Sequence, residues 1–302
     1  MKKYTKFKPK HKYKKKFITF VIMAKVKFTK SSHTYEGSEG KYRSVTNIVN
    51  SFKQEFDSNF WSEYKAYEAL LPNFSYLKSE YKKNTGLTHK DYPFLEYLSN
   101  YVPKGLLMKE KRRIRSKWNN KGQRSSRKGT AYHDDREKTS YIRGTEINPR
   151  TNTEFVVHQK EHIDGDNSSW TANLFDLEDG FYPELLLWND EYRIAGQADR
   201  VFIETCGPVR FIDIGDYKTN EKLTMESYYD WDTKTYQMMK PPVDHIQDCK
   251  FMHYSLQLSM YAWLLEQYGF QCRHLTLHHF NQMHEVEYLK QEIEDILAYI
   301  YK

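Results

Sequence analysis

The chain has 302 residues, of which 39% are hydrophobic and 29% are charged, and its formal net charge at pH 7 is +7. This length can bury a sizeable core, as one large domain or two smaller ones, and the composition is too balanced for an intrinsically disordered chain. No run approaches the roughly 20 apolar residues of a membrane span. The cysteines lack CxxC spacing and fall short of an iron–sulfur quartet, so we expect a cytoplasmic protein that is not secreted.

The positive charge is concentrated at the N-terminus. Residues 1–22 hold nine lysines and no acid, so subtracting nine from +7 leaves −2 for the rest. Three interpretations compete for this segment: a disordered basic arm that attracts polyanions, a secretory signal with a short apolar part and no clean cleavage site, or a segment outside the working protein. Because Met23 opens a sequence typical of a natural start, we favour the last interpretation or the arm, and we assign residues 1–25 to a basic tail.

Residues 26–128 predict a hairpin followed by a largely helical region. The alternating segment "VKFTKSSHTYEGSEGKYRSV" predicts a hairpin that turns near Gly37–Gly40. Ser44 or Thr46 can then cap the helix that follows. Residues 56–104 are rich in aromatic residues at helical spacing and are interrupted by prolines, which predicts several short helices.

A strongly basic segment closes this region. Residues 106–128 contain ten cations against a single acid, Glu110. Solvated helix faces usually interleave both signs, so the imbalance favours a polyanionic partner over an ordinary exposed helix. The candidate binding residues are Lys109, Lys111, Arg112, Arg113, Arg115, Lys117, Arg124 and Arg127.

Residues 129–302 predict an α/β core. A helix is expected after Gly129, and strands over "ELLLWND", "YRIAGQADRVFIE" and "VRFIDIGDYKT". A loop-rich insertion over 220–250 precedes an amphipathic helix that ends at Gly269. Two further strands and the terminal helix "QEIEDILAYIYK" complete the pattern.

Two carboxylates converge in this core. A two-residue turn at Cys206–Gly207 would place Asp216 opposite Gln197 and make Asp199 its diagonal neighbour on the same face, roughly 7–8 Å away. Two buried carboxylates without a cation would be very costly, and oxygen ligands suit Mg²⁺ or Mn²⁺. Asp213 is an odd number of residues from Asp216, so it should face away from this cation.

Two helices can bring further polar groups to the same place. His133 and Glu137 are four residues apart and share a helix face, as do Gln257 and Tyr261. Each has an ordinary explanation: His133 can be a core histidine, Gln257 can bond a backbone group, Tyr261 can be plain core, and Glu137 can pair with a neighbouring cation. Spacing alone does not decide between these alternatives.

The order of these residues along the chain resembles the RecB-like branch of the PD-(D/E)XK nuclease superfamily. The positions that carry the resemblance are Gly129, His133, Glu137, Gly196, Asp199, Asp216, Lys218, Gln257 and Tyr261. Glu184 matches an acidic position often found ahead of them. The segments "KYRSVTNIV" and "GDYKTNEKL" are similar to phage-encoded and mitochondrial genome-maintenance exonucleases of this branch. The resemblance covers about residues 33–300.

The resemblance implies a PD-(D/E)XK restriction-endonuclease-like core, with a mixed central sheet flanked by helices, that cuts DNA with Mg²⁺ or Mn²⁺ and without an iron–sulfur cluster. The metal ligands that it implies are His133, Asp199, Asp216 and the carbonyl oxygen of Tyr217. Lys218 would orient the attacking water or stabilise charge on the phosphate, and Glu184 would bind a second metal or a water. Gln257 and Tyr261 would orient Lys218 or the phosphate.

We therefore expect a metal-dependent deoxyribonuclease in recombination, replication or repair. An exonuclease on single strands or duplex ends is favoured; a non-catalytic nucleic-acid-binding protein and a site-specific endonuclease are the alternatives. The expected partners are DNA and a single-strand-binding or recombination protein, with no membrane, in the cytoplasm of a bacterial host if the chain is phage-encoded. The sequence does not give the oligomeric state.

Overall fold

A computed structural model describes residues 26–37, 40–164, 167–169 and 173–302. The predicted basic tail, residues 1–25, lies outside the described residues. Among the described helices, none combines the length and the apolar character needed to cross a membrane.

The N-terminal region begins with short strands and continues as helices. Its elements are β1 (Lys27–Thr29), β2 (Thr34–Gly37), β3 (Gly40–Ser44), α1 (Val45–Ser51), α2 (Ser58–Leu70), α3 (Phe74–Thr85), α4 (Tyr92–Leu98) and α5 (Lys104–Arg143). The β2–β3 hairpin and the short helices were predicted, and both are confirmed. Ser44 caps α1, because its hydroxyl accepts a hydrogen bond from the Asn47 amide at 3.1 Å. The turn at residues 38–39 lies outside the described residues.

Helix α5 corrects one prediction. The helix expected to begin after Gly129 is the second half of α5, whose 40 residues span about 60 Å. A glycine inside a helix costs only about 1 kcal/mol relative to alanine, which is too little to end a helix held at both ends. Leu107 and Ile114 hold one end in the core of the helical region. The predicted boundary between residues 128 and 129 therefore lies inside a continuous helix.

The remaining elements follow the predicted order. They are β4 (Thr145–Ile147), β5 (Glu154–Val156), β6 (Glu161–Asp164), β7 (Asn167–Ser169), β8 (Gly180–Asn189), β9 (Ile194–Cys206), β10 (Val209–Lys218), β11 (Tyr229–Asp230), β12 (Thr235–Tyr236), α6 (Lys250–Glu266), β13 (Phe270–His279), β14 (Gln282–Val286) and α7 (Lys290–Ile300). The three central strands, helix α6, the two later strands and the terminal helix were all predicted.

Eight of the described strands form a mixed sheet in the order β1-β2-β3-β9-β10-β13-β14, with β8 paired to the other edge of β9. The pairs β4–β5, β6–β7 and β11–β12 form separate two-stranded sheets. The predicted α/β class with a mixed central sheet is therefore confirmed. Strands β3 and β10 share one edge of β9: β10 pairs along it as far as Arg200, and β3 pairs with Ile194 and Ala195. The short gap between these two pairings, at residues 196–199, lies beside the candidate site.

The two largest clusters of buried hydrophobic residues support this arrangement. The larger packs α1, α6 and α7 on the central sheet, with Val45, Leu256 and Ile293 fully buried. The smaller lies among α2, α3, α4 and the first half of α5, around Tyr67 and Phe94. The N-terminal helices thus have a core of their own.

The register of the β9–β10 hairpin differs from the prediction by two residues. Cys206 pairs with Val209, so the turn is Gly207–Pro208 instead of Cys206–Gly207. Gly207 has φ +61°, which a glycine adopts freely at the first position of a hairpin turn, and the fixed φ of proline suits the second position. As a consequence Asp216 lies directly opposite Asp199, and not diagonally across from it.

Candidate active site

Three carboxylates form one row across the middle of the sheet. The β9–β10 register, continued by one residue beyond Gly215–Arg200, places Asp216 opposite Asp199. Strand β8 pairs the residues flanking Glu184 with those flanking Asp199, so these two acids also lie opposite each other. Residues opposite each other on adjacent strands point to the same face, and the strands are about 4.8 Å apart. The sequence predicted that Asp199 and Asp216 share a face, but it did not predict the position of the third carboxylate, Glu184.

Glu184 takes its position through a strained backbone. Its φ is +49°, although it lies inside a strand and is not a glycine. Such a conformation costs of the order of 1–3 kcal/mol and persists only where the surroundings fix it. Here the pairing of Pro183 with Arg200 and of Leu185 with Ala198 holds the backbone on both sides.

Helix α5 brings His133 to the row. Its Nδ1 lies 3.2 Å from Glu184 Oε1 and 3.4 Å from Asp199 Oδ1. The ligand atoms of these three residues all lie within 4.8 Å of one another, which is close to the span of ligands around one ion. Two of the predicted metal ligands, His133 and Asp199, are thus brought together, and the third member of this group is Glu184 instead of Asp216.

The second oxygen of Asp199 is held by the backbone. The Tyr217 amide donates a hydrogen bond to Asp199 Oδ2 at 2.7 Å, across the gap in the pairing of β9. This bond leaves Oδ1 directed at His133. The sequence assigned the Tyr217 carbonyl to the metal; the contact observed is that of the amide, and the role of the carbonyl stays a prediction.

Asp216 and Lys218, two residues apart on β10, form an ion pair. Lys218 Nζ lies 2.5 Å from Asp216 Oδ2 in a setting where Asp216 is 1% exposed. Within the described residues, neither oxygen of Asp216 accepts a hydrogen bond of good geometry. Burial lowers the pKa of Lys218, but the nearby charges of Asp216 and Asp199 outweigh it and raise the pKa overall, so the ammonium stays charged.

The site holds more negative charge than its surroundings neutralise. Burial, then the charges of Asp216 and Glu184, raise the pKa of Asp199 to about 7. Burial would lower the pKa of His133, but its hydrogen bonds to Asp199 and Glu184 outweigh that effect and raise it to about 11. Asp199 and His133 thus hold protons more readily than usual, and a divalent cation bound between them would displace those protons.

The donor set fits such a cation. Two carboxylates and one imidazole converge, with Asp216 next in the row. Carboxylates are the ligands of Mg²⁺ and Mn²⁺, and a single imidazole among them suits Mn²⁺ better than Mg²⁺. No thiolate is involved, since the described cysteines lie elsewhere.

Gln257 and Tyr261 lie beneath the row and bond to each other. The Gln257 side-chain amide donates to the Tyr261 hydroxyl at 3.1 Å. Burial raises the pKa of Tyr261 well above its usual value, and the charges of Tyr35, Asp216 and Asp199 add to this effect because the phenol lies close to them. A predicted contact with Lys218 or a phosphate stays a prediction.

Gly196 makes room for this tyrosine. A Cβ added at Gly196 would lie 2.7 Å from Tyr261 Cε1 and 3.1 Å from Val45 Cγ2. The glycine of the Gly-x-x-Asp pattern is therefore required by the close approach of α6 to β9, three residues before Asp199.

Two acids near the site are engaged in ion pairs outside the row of carboxylates. Asp213 faces away from the row and pairs with Arg273 at 2.6 Å and with Asn148 at 2.5 Å. Glu137 pairs with Lys160 at 2.5 Å, which the sequence could not foresee because the two are 23 positions apart.

A cavity of about 340 Å³ opens beside His133 and Glu184. It is lined by the β1–β2 segment, including Lys30 and His33, by α5 and by Gln197 of β9. Substrate atoms could therefore approach the row from the side of the N-terminal hairpin.

The predicted binding residues on α5 divide into two groups. Lys111 pairs with Glu63 at 2.6 Å, Arg113 with Glu110 at 2.5 Å, and Arg115 donates to Asn59 at 3.1 Å. Within the described part of the chain, no ion pair engages Lys109, Arg112, Lys117, Arg124 or Arg127. The count of ten cations against one acid was incomplete, because acids distant in sequence also reach this helix.

Sequence reasoning missed two neighbours of Lys218. The Tyr254 ring lies 4.5 Å from its ammonium, and helical spacing three residues before Gln257 could have found it. Lys53, after α1, lies close enough for Lys218 to affect it: burial lowers the Lys53 pKa, Asp248 opposes this and Lys218 adds to it. No local pattern indicates Lys53.

No protein-family model, curated protein or solved structure matches the chain.

Proposed function

We propose that the protein is a divalent-metal-dependent nuclease that hydrolyses phosphodiester bonds of DNA. The observation that carries the proposal is the convergence of His133, Glu184 and Asp199 on one point, with the ion pair of Asp216 and Lys218 beside them. Hydrolysis of a phosphodiester needs an activated water and positive charge where the phosphate gains negative charge. The three metal-binding side chains would hold the cation that activates the water, and Lys218 would supply positive charge at the phosphate.

His133, Glu184 and Asp199 would hold the cation, and Asp216 would be a further ligand at the edge of the group. When bound, the cation would lower the pKa of a water and neutralise charge on the phosphate. The Tyr217 amide keeps Asp199 in a single orientation, so the ligand oxygen needs no rearrangement when the cation arrives.

Lys218 would act on the phosphate. Its ammonium is fixed by Asp216 on one side and by the Tyr254 ring on the other, and remains charged. A preorganised cation at this point stabilises the negative charge that develops on the phosphate oxygens. Gln257 and Tyr261, packed under the row, would support its geometry.

An exonuclease on single strands or duplex ends is the form that we favour, on the strength of the resemblance to phage and mitochondrial enzymes. The PD-(D/E)XK assignment of the core is part of this proposal. So are a role in recombination, replication or repair and an association with a single-strand-binding or recombination protein.

The test uses the purified full chain, end-labelled single-stranded and duplex DNA, and Mg²⁺ or Mn²⁺. We expect release of mononucleotides or short oligomers, and a loss of at least 100-fold in Asp199→Asn and Lys218→Ala. Glu294→Gln is the matched control, since Glu294 is exposed on α7.

Three outcomes would contradict parts of the proposal. DNA binding without degradation, unaltered in Lys218→Ala, would indicate a non-catalytic binding protein. Discrete fragments from a plasmid would indicate a site-specific endonuclease. Efficient cutting of a closed single-stranded circle would remove the requirement for a free end.

A further inference from the structure

Phe280 occupies an unusual place at the tip of the β13–β14 hairpin. His279 pairs with Gln282, so Phe280 and Asn281 form the turn. Phe280 has φ +54°, a conformation that hairpin turns normally give to glycine and that bulky residues rarely adopt. Its side chain is nevertheless 52% exposed, so burial does not compensate for the strain. A strained, exposed aromatic residue calls for a function.

The position of this ring relative to the candidate active site is well defined. The parallel pairing of β10 with β13 places His279 beside Lys218, so Phe280 follows the strand partner of that lysine. The His279 Nε2–H donates to the Asn220 carbonyl oxygen at 2.7 Å, which ties the hairpin tip to the segment after Lys218. The rings of Phe280 and His279 lie 4.6 Å apart, centroid to centroid.

Helix α5 presents cations to the same place. Lys128 Nζ lies 5.6 Å from the centre of the Phe280 ring. Lys121 pairs with Glu221 at 2.9 Å, and a Cβ on Gly129 would lie 3.6 Å from the Thr219 hydroxyl, so α5 runs close to the segment after β10.

Four cations and one aromatic ring lie along this face of α5. Residues spaced by three or four positions share one helix face. The members of this strip, which we call the α5 strip, are Lys121, Arg124, Lys128, Tyr132 and Arg136. The Arg136 guanidinium lies 4.9 Å from the Tyr132 ring and 5.9 Å from the Tyr217 ring. The strip thus runs alongside the end of β10, and Phe280 lies against its middle.

We propose that Phe280 stacks on an unpaired nucleobase of a DNA strand whose phosphates lie along the α5 strip, immediately outside the cleavage site. This inference rests on the proposed function and names a contact that selects single-stranded DNA. Aromatic rings stack on bases of any sequence, while lysine and arginine meet the phosphates. Arg124 and Lys128, which no ion pair engages within the described residues, favour this polyanion over an apolar protein partner.

The backbone strain at Phe280 makes it possible to distinguish a role of the ring in binding from a role in stabilising the fold. Glycine adopts φ +54° freely, so Phe280→Gly should unfold at a temperature no lower than that of the parent. If the ring served the fold, its removal would lower stability. If it serves the strand, removal weakens binding while the fold remains intact.

The experiment measures binding of a short single-stranded oligonucleotide containing 2-aminopurine, in Ca²⁺, by fluorescence anisotropy and by quenching of the base analogue. We expect Phe280→Ala and Phe280→Gly to bind about tenfold more weakly and to lose the quenching, and Phe280→Trp to retain both. Phe175→Ala is the matched control, because Phe175 is 50% exposed and its carbonyl contacts Arg210, at the far end of β10.

Salt dependence gives an independent readout. The slope of log K against log salt should stay unchanged in Phe280→Ala, since the ring carries no charge, and should become shallower by about one in Lys128→Ala. Parent-like binding and quenching in Phe280→Ala would overturn the inference. The inference would also be overturned if Phe280→Ala bound the oligonucleotide normally but lost binding to a protein partner. If the parent itself binds no DNA, the proposed function fails instead.

Discussion

Replacing Gly196 with alanine tests whether the packing of α6 against β9 sets the geometry of the candidate site. The new Cβ would lie 2.7 Å from Tyr261 Cε1 and 3.1 Å from Val45 Cγ2, and both neighbours are almost wholly buried. The Tyr261 atom belongs to the rigid ring, so no flexible side-chain end can move aside. Overpacking of this kind costs about 1–3 kcal/mol, and we expect a value in the upper half of that range.

The effect should also reach the site. Tyr261 and Gly196 can separate only if α6 moves away from β9, which shifts the strand that carries Asp199. We therefore expect weaker Mn²⁺ binding in addition to lower stability. The assay is urea unfolding followed by circular dichroism, with the Mn²⁺-induced rise in melting temperature measured on the same samples.

Gly122→Ala is the control for the glycine substitution itself. Gly122 lies in the exposed part of α5, and an added Cβ would meet no atom within 4 Å. Alanine should stabilise the protein there by about 0.5–1 kcal/mol. If Gly196→Ala unfolds at the same urea concentration as the parent and binds Mn²⁺ equally well, the packing argument is wrong.

Three further predictions concern charge. Burial and neighbouring acids raise the pKa of Asp199 from its usual value near 4 to about 7. Its contribution to the stability of the metal-free protein should therefore fall as the pH rises between these two values. Urea unfolding midpoints measured in EDTA should show this fall for the parent and a smaller fall for Asp199→Asn. Asp213→Ala should lower stability by about 1–3 kcal/mol, because Asn148 loses its acceptor and Arg273 keeps only Glu204 as a partner, yet the variant should preserve the Mn²⁺-induced rise in melting temperature; loss of that rise would make Asp213 a ligand. Arg124→Ala should make the salt slope of DNA binding shallower by about one, whereas Lys111→Ala should change it less, since Lys111 already pairs with Glu63; equal changes in titrations at several salt concentrations would contradict this division.

The sequence predicted those features of the fold that depend on the local pattern of apolar and polar residues. The order of the core elements, the capping of α1 by Ser44 and the opposite facing of Asp213 and Asp216 all follow from periodicity and alternation. The shared face of Asp199 and Asp216 was also secure, because a register error of two residues preserves the face of every side chain.

What the sequence could not predict depends on contacts between distant segments. The register itself was wrong because Gly207, not Cys206, takes the left-handed turn position. The place of Glu184 follows from the pairing of β8 with β9 and from a backbone conformation that no propensity suggests. The partner Glu63 on α2 neutralises a lysine of α5 from 48 positions away, which a local count of charges cannot register.

The continuity of α5 joins the helical region to the candidate active site through one rigid element. The helix is held in the N-terminal core at Ile114 and is buried again at Ser140. His133 lies between these two anchors, about 28 Å along the axis from Ile114 at 1.5 Å per residue. A DNA strand bound along the exposed middle of α5 would therefore lie on a surface whose distance from His133 is fixed by the helix itself.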